Sequence, residues 1–275
     1  MPRCTEKSCG RWRPERLAPR WAAGIRFNGD WFCSRGCVEQ AARAGLDVPP
    51  APVTSARALP PLRLGVLLRH MNVISEENLN AALAAQKVSG RRLGAELRRL
   101  GLATRDQIVR ALAAQGNVSY FTTFDVARVT NGPSWLPVDT VRALGLVPFD
   151  IDQKQRKVRV LCAAPVPRSA VRALLKLTGW APEVYLVDDE IWEAAMDAYS
   201  PSIAGAAVQD AVTVSDVEAA AAHIAEAAIA ERSITMRHAS CEKYTWVRVE
   251  GPTQISDLLL PAVMEGTCQA ALTAH

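Results

Sequence analysis

Four of the seven cysteines lie within the first 37 residues, in two close pairs. Four residues separate Cys4 from Cys9, three separate Cys33 from Cys37, and 23 lie between the two pairs. Both spacings allow two thiolates to converge on one ion, and four thiolates commonly hold a structural, tetrahedral zinc ion. We therefore predict a zinc site at these four cysteines. Redox use and unrelated free thiols are the alternatives.

The residues around the second pair have the signals of a small zinc module. Asn28 and Gly29 predict a hairpin turn, and Cys37 opens a predicted helix over residues 38–44, whose N-terminus favours a thiolate. The stretch from Phe32 to Cys37 resembles the second half of a treble-clef zinc module. Residues 1–47, which we call the head, bury little apolar surface. We therefore expect zinc to supply part of the folding free energy of the head.

A second candidate for chemistry is a 24-residue motif that occurs twice. Arg63–Gln86 and Arg92–Gln115 both begin with Arg-Leu-Gly and end with Ala-Leu-Ala-Ala-Gln, and five residues separate them. The apolar spacing predicts a helical hairpin in each motif, whose first helix ends near Asn72 or Gly101. A serine or threonine caps the second helix. An arginine and a glutamine return at identical offsets, although core packing requires neither.

The repeat resembles the N-terminal domain of type II secretion and type IV pilus assembly ATPases, of the MshE N-terminal type that binds cyclic di-GMP. That family carries two motifs of the form Arg-Leu-Gly-x-x-Leu ending in Gln, with five residues between them. The resemblance extends over residues 62–200. The nucleotide-binding residues that it implies are Arg63, Leu64, Gly65, Leu68, Leu79, Leu83 and Gln86 in the first motif and Arg92, Leu93, Gly94, Leu97, Ile108, Leu112 and Gln115 in the second.

The residue types of the motif suit this ligand. Cyclic di-GMP is a two-fold-symmetric dianion with two guanines, so two matched motifs can each hold one half of it. Arginine can pair with phosphate, stack on a base or bind guanine O6 and N7, which makes Arg63 and Arg92 the principal candidates. Glycine permits close approach of the backbone, and glutamine can donate and accept. Asn72 of the first motif occupies the position that Gly101 has in the second. The first half-site therefore carries an added side chain that can weaken ligand binding there.

The domain organisation follows from shifts in composition. We predict an α+β multidomain protein, with a zinc module at residues 1–47, a proline-rich linker at 48–61 and a repeat domain at 62–200. In the repeat domain the tandem motifs occupy residues 62–117 and a small α/β part occupies residues 118–200.

Secondary structure can also be predicted for the α/β part and for residues 203–275. In the α/β part we predict a hairpin around residues 152–155 and a helix capped by Asp188 or Asp189. Residues 203–275 are a predicted C-terminal region of one helix and several strands with no recognisable chemistry. Its helix is expected to begin at a capping box from Ser215 to Glu218.

Charge is distributed unevenly along the chain. The formal net charge is +4, with nine basic and five acidic residues in 1–50 and four basic and nine acidic residues in 203–275. A basic head and an acidic tail suggest separate modules. The sequence shows no apolar run of transmembrane length and no signal peptide, so we expect a cytoplasmic protein.

The motifs favour binding over catalysis. No Gly-Lys pair occurs, so the chain lacks a Walker A motif, and the four histidines have no metal-binding spacing. We predict a non-catalytic regulatory or adaptor protein that binds cyclic di-GMP and contacts a secretion or pilus motor ATPase or another protein partner. Two alternatives stay open. One is a protein-interaction module of the same fold that binds no nucleotide, and the other is a zinc-headed nucleic-acid-binding regulator.

Overall fold

A computed structural model describes residues 3–11, 24–47, 62–130, 132, 135–199, 207–208 and 211–261. The chain divides into two compact units. The cysteine unit consists of Met1–Ala51 and Ala204–His275, and the repeat unit consists of Pro52–Ile203. The predicted linker at residues 48–61 lies outside the described residues. No helix in the described ranges has the length and apolar character needed to cross a membrane.

Helices and strands alternate along the chain, in agreement with the predicted α+β class. The helices are α1 (Arg35–Leu46), α2 (Leu64–His70), α3 (Glu76–Ser89), α4 (Leu93–Arg99), α5 (Arg105–Gly116), α6 (Ala127–Thr130), α7 (Val138–Leu144), α8 (Arg168–Thr178), α9 (Asp189–Ala198) and α10 (Val217–Glu231). The strands are β1 (Ile25–Phe27), β2 (Asp30–Phe32), β3 (Ser119–Tyr120), β4 (Val147–Asp152), β5 (Lys157–Cys162), β6 (Ala181–Leu186), β7 (Ala207–Val208), β8 (Val212–Thr213), β9 (Ser233–Ser240), β10 (Tyr244–Glu250) and β11 (Gln254–Pro261).

Each motif forms the predicted helical hairpin, α2–α3 in the first and α4–α5 in the second. The turns between the helices contain Asn72 at φ 54° and Gly101 at φ 69°, so both residues adopt the left-handed conformation that ends a helix. The hydroxyl of Ser75 accepts a hydrogen bond from the backbone of Asn78, and Thr104 forms the complete capping box. These local predictions are confirmed because the signals lie within a few residues of the turns they control.

The helices of the two hairpins pack across the boundary between the motifs. Helix α2 packs on α5, and α3 packs on α4, so each first helix lies against the second helix of the other motif. Leu68 and Leu97 are fully buried in the shared core. A Cβ at Gly65 would lie 2.6 Å from Leu79 Cδ1, so a larger residue here would displace the Leu79 side chain within the same hairpin.

The rest of the repeat unit is a four-stranded sheet with helices. Its strand order is β3-β6-β5-β4, with β4 and β5 as the predicted antiparallel hairpin and the other two pairs parallel. Helix α8 ends at Gly179, which has φ 72°, and Asp188 caps α9 by accepting a hydrogen bond from the backbone of Ile191. The loops that follow β5 and β6 therefore leave the sheet at the same edge.

In the cysteine unit, the head and the C-terminal region share one sheet. The strand order is β2-β1-β9-β10-β11-β7, with β8 also on β11. Strand β1 pairs in parallel with β9, and Phe27 lies opposite Ile234. Helix α1 packs on α10, so that Val38 of the head and Ile224 of the C-terminal region lie in the same core. Two segments that the sequence presents as separate regions thus bury each other's apolar faces, which neither has enough surface to do alone.

The uneven charge has a structural counterpart in this unit. Arg35 of α1 pairs with Glu226 of α10 at 3.1 Å, and Arg43 pairs with Glu218 at 3.6 Å. Surface pairs of this kind contribute little to stability. They show nevertheless that opposite charges from distant parts of the sequence meet along one helix–helix contact.

One predicted cap is wrong in its details. The capping box expected from Ser215 to Glu218 does not form, because the helix begins one residue later. Asp216 is the cap, and its Oδ1 accepts a 2.7 Å hydrogen bond from the backbone of Ala219. Ser215 instead donates its hydroxyl to the Asp216 carboxylate at 2.8 Å.

Candidate functional site

A cavity of about 330 Å³ lies in the repeat unit, between the second motif and the loops that follow β5 and β6. Half of the fourteen predicted nucleotide-binding residues line it. These residues are Leu64, Arg92, Leu93, Gly94, Ile108, Leu112 and Gln115. Only Leu64 comes from the first motif, so the cavity belongs mainly to the second.

The other seven predicted residues lie elsewhere in the two hairpins. They are Arg63, Gly65, Leu68, Leu79, Leu83, Gln86 and Leu97. Leu68 and Leu97 have no exposed surface, and they support the helices from the core. Arg63 is exposed at the residue before α2, and Leu83 is 38% exposed on α3. That these seven contact the nucleotide stays a prediction.

Arg92 is the principal charged group of the cavity. It lies directly before α4, and its Nη1 donates a 3.2 Å hydrogen bond to the carbonyl oxygen of Ala164 on the opposite wall. Among the described residues no carboxylate pairs with it. Its positive charge is therefore available to an anionic ligand.

Two arginines outside the predicted set also line the cavity, and both have acidic partners. Arg105 pairs with Asp188 and, at 3.2 Å, with Glu190. The hydrogen bond to Asp188 is the main reason why the pKa of the Arg105 guanidinium is raised. Arg98 lies 3.4 Å from Glu190. These pairs join the second motif to the start of α9, and they leave Arg92 as the cavity arginine without a carboxylate partner among the described residues.

The sequence contained partial signals for the cavity residues that were not predicted. Arg98 has its counterpart in Arg69 of the first motif, so the repeat itself marked the position. Asp188 was predicted as a helix cap, which it is, but it also binds Arg105. Ala164 lies 72 positions from Arg92, and nothing in the local sequence indicates that the two meet.

The cavity suits a flat base with a phosphate attached. Leucine and isoleucine side chains of α4 and α5 form its apolar floor, against which an aromatic ring can pack. Arg92 lies where it can bind a phosphate or the O6 and N7 atoms of a guanine.

The four head cysteines converge as predicted. All four Sγ atoms lie within 4.8 Å of one another, with Cys9 and Cys33 at 3.4 Å and Cys33 and Cys37 at 3.7 Å. A zinc ion with four sulfur ligands at about 2.3 Å places the sulfurs about 3.8 Å apart, so the observed spacing fits zinc. Strand β2 and helix α1 position the second pair, and the left-handed Gly10 turns the loop of the first.

The cluster thiols differ in their tendency to ionise. Burial raises the pKa of the Cys37 thiol to about 12. A backbone hydrogen bond from Arg11 lowers the pKa of Cys9 to about 7. Strand β5 holds a contrasting cysteine, Cys162, which is fully buried. Burial raises the pKa of its thiol to about 12. Among the described residues, the four head cysteines are the group whose side chains lie close enough together to hold a metal ion.

Comparison with known proteins gives matches among solved structures. No protein-family profile and no curated protein matches the chain. The structure of MshE with cdg is 29% identical, covers 50% of this chain and 99% of that chain, and has a TM-score of 0.42. The chain is similar to the N-terminal domains of secretion and pilus ATPases.

Two crystal forms of the N-terminal domain of XpsE also match. They are 16% and 17% identical and cover 50% and 53% of this chain and 93% and 100% of those chains, with TM-scores of 0.36 and 0.30.

Proposed function

We propose that the repeat unit binds cyclic di-GMP and that the protein is a non-catalytic regulatory or adaptor protein. The observation that carries this proposal is the cavity beside the second motif, where Arg92 has no carboxylate partner among the described residues. A guanidinium without a carboxylate partner, next to an apolar wall, favours an anionic ligand with a flat ring. The resemblance of the 24-residue motifs supplies the identity of that ligand.

The two half-sites of this proposed site differ in their surroundings. Ala95 and Leu112 of the second motif line the cavity. Their counterparts in the first motif, Val66 and Leu83, are 50% and 38% exposed. The half of the ligand bound at the first motif is therefore the half that a protein partner can reach. A secretion or pilus motor ATPase is the partner class that the resemblance implies.

A structural zinc ion at Cys4, Cys9, Cys33 and Cys37 is part of the same proposal. Zinc would supply a cross-link between the loop at residues 3–11 and the β2–α1 connection. The head is small, so this cross-link would stabilise the sheet and the core that it shares with the C-terminal region.

The decisive experiment is titration calorimetry of the full chain with cyclic di-GMP. We expect Arg92→Ala to weaken binding about tenfold or more, since a charge-assisted contact is lost. Arg110→Ala is the matched control, because Arg110 is exposed on α5 and does not line the cavity. Absence of heat from the wild-type protein at high micromolar nucleotide would contradict the proposal.

A second candidate function is a protein-interaction module that binds no nucleotide. Exposed apolar side chains on α2 and α3 favour it, with Val88 at 90% exposure besides Val66 and Leu83. This alternative predicts that cyclic di-GMP leaves the thermal stability of the protein unchanged. Binding of nucleic acid by the head has weaker support, because Arg35 and Arg43 are already paired with glutamates of α10.

A further inference from the structure

The cavity beside α5 has two polar ends of different composition. Helix α5 begins at Arg105 and carries Gln115 near its last turn. Gln115 lies with Arg92 and Leu64 at the end that adjoins the first motif, and its side chain bonds to the carbonyl oxygen of Leu62. We call this the inner end. A two-fold ligand shared by both motifs would have its centre at this end, because the first motif adjoins the cavity here.

The outer end of the cavity is formed by the start of α5, the end of α4 and the start of α9. Arg105 and Arg98 contribute positive charge, which Asp188 and Glu190 balance. Asp189 also lines the cavity, and its carboxylate is exposed. Within the described ranges it has no hydrogen-bond or ion-pair partner. The outer end thus combines neutralised charges with one free carboxylate.

We infer that Asp189 recognises, through hydrogen bonds, the guanine in the half of the ligand that is bound at the second motif. This inference rests on the proposed function. The phosphates of a ligand shared by the two motifs lie near the inner end, so its base extends toward the outer end. Guanine presents two donors on its Watson–Crick edge, N1–H and N2–H, and a carboxylate accepts both at once. Adenine presents an acceptor at N1, which a carboxylate repels.

The free carboxylate is otherwise unfavourable for this ligand. A negative charge in a site for a dianion weakens binding unless the carboxylate forms hydrogen bonds with the ligand. Arg92 lies directly before α4, whereas Asp189 is next to Glu190, which pairs with Arg98 near the end of α4. Both residues line the cavity, so Arg92 can bind the phosphate while Asp189 binds the base. The geometry therefore assigns charge recognition to the arginine and base recognition to the aspartate.

Asp189 recognises one of the two guanines of the ligand. At the first motif Val66 and Leu83 are open to solvent, whereas their counterparts at the second motif face the loop that carries Asp189. One guanine then suffices for recognition. A mixed cyclic dinucleotide with one guanine and one adenine is expected to bind nearly as well as cyclic di-GMP.

The test is calorimetric titration of the full chain with cyclic di-GMP, cyclic GMP-AMP and cyclic di-AMP. For the wild type we expect cyclic GMP-AMP to bind within about threefold of cyclic di-GMP, and cyclic di-AMP about tenfold or more weakly, as the loss of a bidentate contact to a base implies. Asp189→Asn should weaken cyclic di-GMP about tenfold and strengthen cyclic di-AMP, since an amide can pair with the adenine edge.

Two controls make the outcome decisive. Asp139→Asn removes an exposed aspartate from the first turn of α7, outside the cavity, and should change no affinity. If Asp189 merely repels the dianion, Asp189→Asn will strengthen binding of all three nucleotides, and the inference is overturned. Equal wild-type affinity for cyclic di-GMP and cyclic di-AMP overturns it as well, with the proposed function intact. Failure of all three nucleotides to bind would instead remove the proposed function itself.

Discussion

The side-chain amide of Gln115 donates a 2.6 Å hydrogen bond to the carbonyl oxygen of Leu62, the residue directly before Arg63. Gln86 makes the equivalent bond, at 2.9 Å, to the carbonyl oxygen of Arg91, directly before Arg92. Each glutamine therefore holds the start of the other motif. This exchange gives the recurring glutamine a structural role that does not depend on any ligand.

Replacing Gln115 by alanine should destabilise the nucleotide-free protein. The lost hydrogen bond is expected to lower the free energy of unfolding by about 0.5–1.5 kcal/mol. Urea denaturation of the wild type and of Gln115→Ala measures the difference. Gln86→Ala should give a similar loss, because its bond is equivalent. Unchanged stability in both variants would leave ligand contact as the reason for the glutamines.

The Asn72 position should tolerate glycine. Asn72 has φ 54° and is exposed, so Asn72→Gly relieves a left-handed conformation that asparagine already accepts, and we expect a change within about 0.5 kcal/mol. Gly101→Ala places a Cβ at φ 69° and should cost about 1 kcal/mol or more. Thermal denaturation compares the two. Asn72 does not line the cavity beside the second motif, so Asn72→Gly should leave the contribution of that half-site to cyclic di-GMP affinity unchanged.

The cap of α10 should make stability depend on pH. The backbone hydrogen bond from Ala219 lowers the pKa of Asp216 below its ordinary value, so the carboxylate stabilises the folded state above that value. This stabilisation is lost as the pH falls through the lowered pKa. Asp216→Ala should therefore be less stable than the wild type at pH 7, and the difference should shrink in acid.

Ser215→Ala provides the matched control for the cap. Ser215 donates to the Asp216 carboxylate but does not cap the helix, so its removal should have the smaller effect at pH 7. Denaturation of both variants at pH 7 and pH 3 separates the two roles. A larger loss in Ser215→Ala would restore the cap originally expected from the sequence.

Zinc content should follow the four head cysteines. Elemental analysis of purified protein is expected to give one zinc per chain, and Cys9→Ser should lose most of it, since a thiolate ligand is removed. Cys162→Ala is the control, because Cys162 is buried in β5 of the repeat unit and should leave zinc content unchanged. Equal zinc in Cys9→Ser and the wild type would contradict a four-cysteine site.

Zinc retention should also depend on a residue far away in the sequence. Ile224 on α10 is fully buried in the core that holds Val38 of the head, and Ile224→Ala should cost about 2–4 kcal/mol. The loosened core should release zinc faster to a chelator. Ile229→Ala, on the same helix but 38% exposed, should release it at the wild-type rate. Equal rates in the two variants would show that the head is held without the C-terminal region.

The local structure of this protein was largely determined by its sequence. The helix caps at Ser75, Thr104 and Asp188, the left-handed turn at Asn72 and the hairpin at Asn28 were all predicted and are all present. Each depends on hydrogen bonds or backbone angles within a few residues, which the sequence shows directly. The convergence of the four cysteines was predictable for a related reason, because thiolate spacing reflects the geometry of a single ion.

Tertiary structure alone decided which distant residues share a surface. The cavity joins Arg92 to Ala164, and the sheet joins β1 to β9, across long stretches of chain that carry no local signal. It also decided which residues of the motif support the core and which line the cavity. Leu97 is buried in the core, whereas Leu112 lines the cavity. Periodicity identifies an apolar face but not the element that covers it, because burial depends on the packing of the whole chain.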